Sequence, residues 1–355
     1  MAATRNRMAV AEEEFPVRLP AQLVQDFHAA FGEHHARAVH TKGLILQGTY
    51  TPSAEARELC RAQLFMESSV PVVVRFSDFT GLPDIPDTEV KANPRGFAIK
   101  FLMSDGSDTD IVNHSFNGFP VSTSSEFSAL LQAIARSGGE PTPGSELEKF
   151  LGSHPTAKTF LTTQAQLPQS WATTSFYSVN AVQFTDAQGR NRFVRYQFIP
   201  EAGEHSLAPG EEATRSAGYL SEELAARVAA SPVRFTWYAQ IAEDSDVIDD
   251  PATAWPDNRQ RVPLGHIVID QVGPNSPEAD RSLAFLPGSL PPGIEFADPM
   301  LTIRNASYPH SFRNATGDRL APIAGPSQPQ PQGRAGPAWC LSLITDTPGQ
   351  DQHWR

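Results

Sequence analysis

The chain has 355 residues, of which 40% are apolar and 19% charged, and 28 Lys and Arg against 40 Asp and Glu leave a net charge of −12. So acidic a chain binds polyanions poorly, which argues against DNA, RNA and anionic membranes as partners. The two cysteines, Cys60 and Cys340, show no CxxC and no paired spacing, which argues against a disulfide scaffold and a cysteine-based metal site. No run approaches the ~18 apolar residues of a membrane span. The opening segment MAATRNRMAVAEEEF lacks the apolar core of a secretory signal, so the expected setting is cytoplasmic.

Residues 1–19 read as a polar tail. Over 20–38, Leu23, Val24, Phe27, Ala30 and Phe31 recur at helical spacing and predict a helix. The runs LILQGTYTP and PVVVRFSDFTG read as strands, the second β-branched and bounded by Pro71 and Gly81. GFAIKFLM and DIV read as the arms of a hairpin with the polar tip SDGSDTD. A helix follows from Ser124, with Phe127, Leu130, Leu131 and Ile134 on one face and Gly138 as its stop. Short helices are expected around Ser145–Leu151 and Ala157–Leu167. SFYSVNAVQFTD and NRFVRYQFIPE then form a second hairpin about the turn ending at Gly189.

SEELAARVAAS reads as a helix opening on Ser221, and VRFTWYAQIA and HIVIDQV as strands. Asp298 as N-cap and Pro299 at the first helical position start a helix over 298–316. From Gly325 to Pro337 the chain is a Pro/Gly-rich linker. The expected organisation is a body over 20–320 with a linker and tail over 321–355. Seven or eight strands joined as hairpins, with several helices, predict an antiparallel α+β fold, most simply a closed barrel with helices outside.

Candidate chemistry is sparse when each residue is taken alone. His34 and His35 on adjacent helical positions would point apart and share no metal. Asp105, Ser107, Asp108 and Asp110 lack the late Glu of a calcium loop and read as a solvated hairpin tip. Arg304 and Tyr308, at i and i+4, share one helix face. A guanidinium beside a phenol favours the phenolate, and an anionic tyrosine is a good axial ligand for ferric haem.

Six segments in order carry more than any of them singly. RAVHTKG, VPVVVRFSDFTG, NPRGFAIKF, SFYSVNAVQFTDAQGRNRFVRYQFIPEAGE, DPATAWPDNRQRVPLGHIVIDQV and PPGIEFADPMLTIRNASYPHSFR resemble, collinearly, the segments of the haem catalase superfamily. The resemblance spans roughly residues 25–320. It implies an eight-stranded antiparallel β-barrel of catalase type with surrounding helices, binding haem b.

By that resemblance His40 is the distal acid–base histidine and Val39 narrows its access. Ser77 orients its ring, and Gly96 lets the backbone lie close to the haem. Arg37, Arg75 and Arg313 hold propionates, and Met300 packs from the proximal helix. Arg304 supports Tyr308, the iron ligand.

The resemblance is closest to the small catalase-related peroxidases. In IVNHSFNGFP, His114 falls where catalases place a distal asparagine, and a further arginine expected late in the proximal helix falls on Ala315. The implied activity is reduction of hydrogen or organic peroxides by a small organic electron donor, with weak catalase activity. The implied assembly is a homodimer. A true catalase, a non-catalytic haem carrier or sensor, and a lipid-hydroperoxide rearranging enzyme are the alternatives. Val39 departs from the threonine of the last of these, and a carrier has no need of His40.

Overall fold

The structure, a computed structural model, describes residues 18–316 apart from 164, 165 and 276. In chain order its elements are α1 (Leu19–Phe31), β1 (Gly43–Pro52), α2 (Ala54–Leu59), α3 (Gln63–Met66), β2 (Val70–Ser77), β3 (Gly96–Leu102) and β4 (Asp108–His114). There follow α4 (Ser124–Arg136), α5 (Glu146–Ser153), α6 (Pro155–Thr162), β5 (Phe176–Tyr177), β6 (Val182–Thr185) and β7 (Asn191–Pro200). The last are α7 (Tyr219–Ala230), β8 (Val233–Ile241), β9 (Arg261–Val272), α8 (Pro277–Ser282), β10 (Ile294–Phe296) and α9 (Pro299–Thr316).

Antiparallel pairing runs β7–β5–β4–β3–β2–β1–β9–β8, and β8 returns to β7, so eight strands close on themselves. β6 and β10 extend outward from β7. This is the expected α+β barrel with helices around it.

The lumen is packed solid with rings. Phe76 and Phe97 stack with centroids 4.9 Å apart, and Phe97 meets Phe198 at 5.0 Å and Phe235 at 5.5 Å. Trp237 closes the stack against Phe198. A lumen so filled leaves no room for a ligand. Because side chains alternate across a strand, the neighbours of these rings face out. In register, Ser77 lies opposite Gly96 and Gly96 opposite His114, while Arg75 lies opposite Ala98 and Ala98 opposite Val112. The outer face of β2, β3 and β4 therefore presents Arg75, Ser77, His114 and two residues with almost no side chain.

Helices α1, α4 and α9 pack over that face through Leu19, Leu23, Leu131 and Ile303. α9 starts as expected, Asp298 Oδ1 accepting from Met300 N–H at 2.9 Å.

Some expectations need correction. α1 stops at Phe31, because Gly32 turns away with φ 86°, so His34 and His35 lie beyond the helix. The first arm of the second hairpin is split into β5 and β6. α7 begins at Tyr219, before Ser221, with Gly218 as its N-cap. α2, α3, α8 and β10 have no counterpart in the sequence reading. Asp105 caps its own tip, Oδ1 accepting from Ser107 N at 2.9 Å. Residues 1–17 of the expected tail and all of 317–355 lie outside the described residues. Among the described residues no helix is long and apolar enough to cross a membrane.

Candidate active site

A deep cavity lies between the outer face of β2, β3 and β4 and the helices above it. Leu23, Val24 and Phe27 of α1, Phe127 of α4, Phe119 and Met300 give it apolar walls. His40, His114, Arg37, Arg75, Ser77, Arg304 and Tyr308 supply polar groups, and Val39 and Gly96 also line it.

His40 follows α1 on an irregular stretch and takes φ 58°, the left-handed region that costs a residue with a β-carbon about 1 kcal/mol or more. Four hydrogen bonds hold it there. His40 N–H donates to Phe79 O and Thr41 N–H to Thr80 O, each at 3.2 Å. Arg75 donates from Nη1 to His40 O at 2.9 Å and from Nη2 to Thr41 O at 3.2 Å. The ring is fixed separately, with Nδ1 3.0 Å from Ser77 Oγ and Phe79 edge-on at 5.5 Å. Burial, and then the charge of Arg75, push its pKa down to about 3, so the imidazole is neutral. In the tautomer whose Nδ1–H donates to Ser77 Oγ, Nε2 carries the lone pair and faces the cavity chemistry as a base.

His114 ends β4 in the complementary state. Its Nδ1 accepts from Phe116 N–H at 3.4 Å, which places the proton on Nε2, and that buried Nε2 meets no hydrogen-bond partner among the described residues. Burial, and then Arg304, lower its pKa to about 3. The cavity thus contains two neutral imidazoles, His40 tied through Nδ1 to Ser77 and His114 with its Nε2–H left to donate a hydrogen bond.

Arg304 and Tyr308 meet as their spacing predicts, Nη2 donating to the phenol oxygen at 3.2 Å. Arg304 Nη1 donates to Asn180 Oδ1, and Asn180 Nδ2 donates to Asp298 Oδ2 at 2.7 Å. A carboxylate at the start of α9, an amide from the β5–β6 connection, a guanidinium and a phenol form one chain ending at the cavity.

Arg37 and Arg75 both line the cavity, whereas Arg313 does not. Arg313 Nη2 instead lies 2.7 Å from His310 Nδ1 on its own helix. Gly96 does not serve only to bring backbone near a ligand. A β-carbon there would stand 2.6 Å from His40 Nδ1, so the glycine makes room for the His40–Ser77 contact. Sequence reading missed Phe79, Asn180 and Asp280, which hold His40, Arg304 and the arginine pair. Phe79 was within reach, since it lies two residues beyond Ser77. Asn180 and Asp280 carry no local signal, because their partners are over 100 residues away.

A family model described as Catalase matches residues 4–335. The chain is 34% identical over 285 residues to a catalase-related peroxidase of Mycolicibacterium paratuberculosis, covering 79% of this chain and 89% of that one. It is 30% identical to a catalase-related peroxidase of Synechococcus elongatus, over 84% of this chain and 88% of that one. Among solved structures a fungal catalase superposes with a TM-score of 0.70 at 23% identity, over 79% of this chain and 59% of that chain. That superposition repeats the barrel and shows the fold, and this chain spans under two thirds of that catalase's length. The chain belongs to the catalase family.

Proposed function

We propose that this chain is a haem b-dependent peroxidase that reduces hydrogen or organic peroxides with a small organic donor and releases oxygen only weakly. The observation that carries the reading is that a neutral imidazole tied through Nδ1, His40, and a guanidinium-backed phenol, Tyr308, open onto the same apolar-walled cavity.

The donor set fits haem. The walls from α1, α4 and Met300 are apolar, as a macrocycle requires. Arg75 spends Nε on Asp280 and one N–H of each Nη on a carbonyl, which leaves an N–H on each Nη for an anionic ligand. The unpartnered Nε2 of His114 needs an acceptor to come from the ligand side. Tyr308 would hold the iron, and Arg37 and Arg75 the carboxylates.

When bound, haem supplies the redox chemistry that splits the O–O bond. The chain supplies the proton handling. Neutral His40 accepts the peroxide proton at Nε2 and returns it to the departing oxygen, so that water leaves from hydrogen peroxide and an alcohol from an organic peroxide. Ser77 keeps the ring aimed during both transfers. His114 Nε2–H donates a hydrogen bond to an oxygen in the cavity. Arg304, held by Asn180, balances negative charge on Tyr308. An imidazole where catalases resemble one another in an asparagine holds a second peroxide less well, which favours the organic donor as reductant. The same reading takes the chain as a cytoplasmic homodimer.

The test is peroxide consumption by haem-loaded protein with a phenolic or diamine dye, beside an oxygen electrode. Clear dye oxidation with little oxygen supports the proposal. Fast oxygen evolution with no dye oxidation refutes it.

A further inference from the structure

Arg75 touches more than the cavity. Its two Nη atoms hold the carbonyls of His40 and Thr41, on the stretch where His40 is left-handed. Its Nε donates to Asp280 Oδ1 at 2.6 Å. The same Oδ1 lies 3.3 Å from Arg37 Nη2, and Arg37 also donates to the backbone carbonyls of Asp280 and Leu283, the latter at 2.8 Å. Gly43 leaves space for this arrangement, since a β-carbon there would stand 2.7 Å from Arg75 Cζ.

The place of the carboxylate decides what it does. Arg281, Ala284 and Phe285, on the segment that begins with α8, line the cavity, but Asp280 is not among the lining residues. It stands behind the two guanidiniums and does not compete for a ligand in front of them. Arg75 is only 3% exposed. Without a counter-ion the buried Arg75 and the half-buried Arg37 would repel one another, and the guanidinium that holds His40 would be free to turn.

We propose that Asp280 is a positioning residue for the distal imidazole: it aims Arg75, and Arg75 holds the strained backbone of His40. The cation pair and the proton acceptor are thereby one mechanical unit, joined through a helix that the barrel does not contain. The inference rests on the peroxidase reading only for what His40 does, not for how it is held.

Two measurements on the full chain test it. The first is the crystal structure of Asp280→Ala beside the unaltered chain. Arg75 should leave the His40 carbonyl, and the ring should move off Ser77 Oγ. If Arg75 still donates to His40 O with the ring in place, the inference is overturned. The second is cyanide association with haem-loaded protein, in which a distal base takes the proton of the incoming acid. Association per haem should slow roughly 10-fold or more in Asp280→Ala and Arg75→Ala, by no more in the double variant, and recover largely in Asp280→Asn, which keeps an acceptor for Nε. An unchanged rate in Asp280→Ala, or additive losses in the double variant, overturns it. If the unaltered chain takes up no haem, the peroxidase reading fails, and the crystal structures still decide the inference.

Discussion

Gly96 and His40 face each other from β3 and the stretch after α1, and a β-carbon on residue 96 would stand 2.6 Å from Nδ1 and 2.8 Å from Cε1 of the imidazole. Real carbon–nitrogen contacts are not so short, so any larger residue must displace the ring or Ser77. Gly96→Ala should fold, because the position is regular strand. It should still lose about 10²-fold in the rate of peroxide cleavage, the cost of moving a reacting group by ~1 Å. Single-turnover kinetics beside a thermal melt would check this: a wild-type rate would show that the His40–Ser77 contact is dispensable.

Removing Arg304 takes away the charge that balances Tyr308. Arg304→Ala should weaken haem retention several-fold, because the phenol oxygen loses the guanidinium that donates to it. Arg304→Lys should rescue in part, since an ammonium cannot span Asn180 and Tyr308 as the planar fork does. Asn180→Ala should resemble a weaker Arg304→Ala. The rate of haem transfer to an acceptor protein reads all three. Unaltered haem retention in Arg304→Ala would contradict the role given to the pair.

The two imidazoles make a pH prediction with a definite sign. Both have pKa values lowered from 6.5 to about 3 by burial. The folded chain therefore binds fewer protons than the unfolded chain between those limits. This part of the stability is fully present above pH 6.5 and is lost as pH falls through the folded value of about 3. His40 is the free base throughout neutral pH, so peroxide cleavage should show no inflection near 6.5. An acid limb centred there would mean that His40 is solvated and not tucked against Ser77.

His114→Asn should move the balance of products. The amide is smaller and offers both a donor and an acceptor to an oxygen in the cavity. Oxygen release per peroxide consumed should rise and dye oxidation fall, while the rate of peroxide cleavage stays within a few-fold. An unchanged ratio would show that position 114 does not set which reductant is used.

The barrel was legible because its strands alternate and its turns are marked by Gly, Pro and Asp. The Arg304–Tyr308 pair was legible because a helix makes i and i+4 neighbours whatever surrounds them. Long-range geometry was not. Asp280 reaches Arg75 across 205 positions, and Asn180 reaches Arg304 across 124, so neither contact leaves a local pattern. The place of Arg313 on the last turn of α9 is readable, but its contact with His310 is a matter of side-chain packing. α8 is too short, at six residues, for periodicity to announce it.

On the function proposed above, this cavity holds haem through Tyr308 for peroxide chemistry at His40. The most direct test of that assignment is the absorption spectrum of the haem-loaded chain and of Tyr308→Phe. The unaltered chain should show a high-spin ferric, tyrosinate-type spectrum, and the variant should lose most haem or change its spin state. A Tyr308→Phe protein with full haem content and an unaltered spectrum would contradict it.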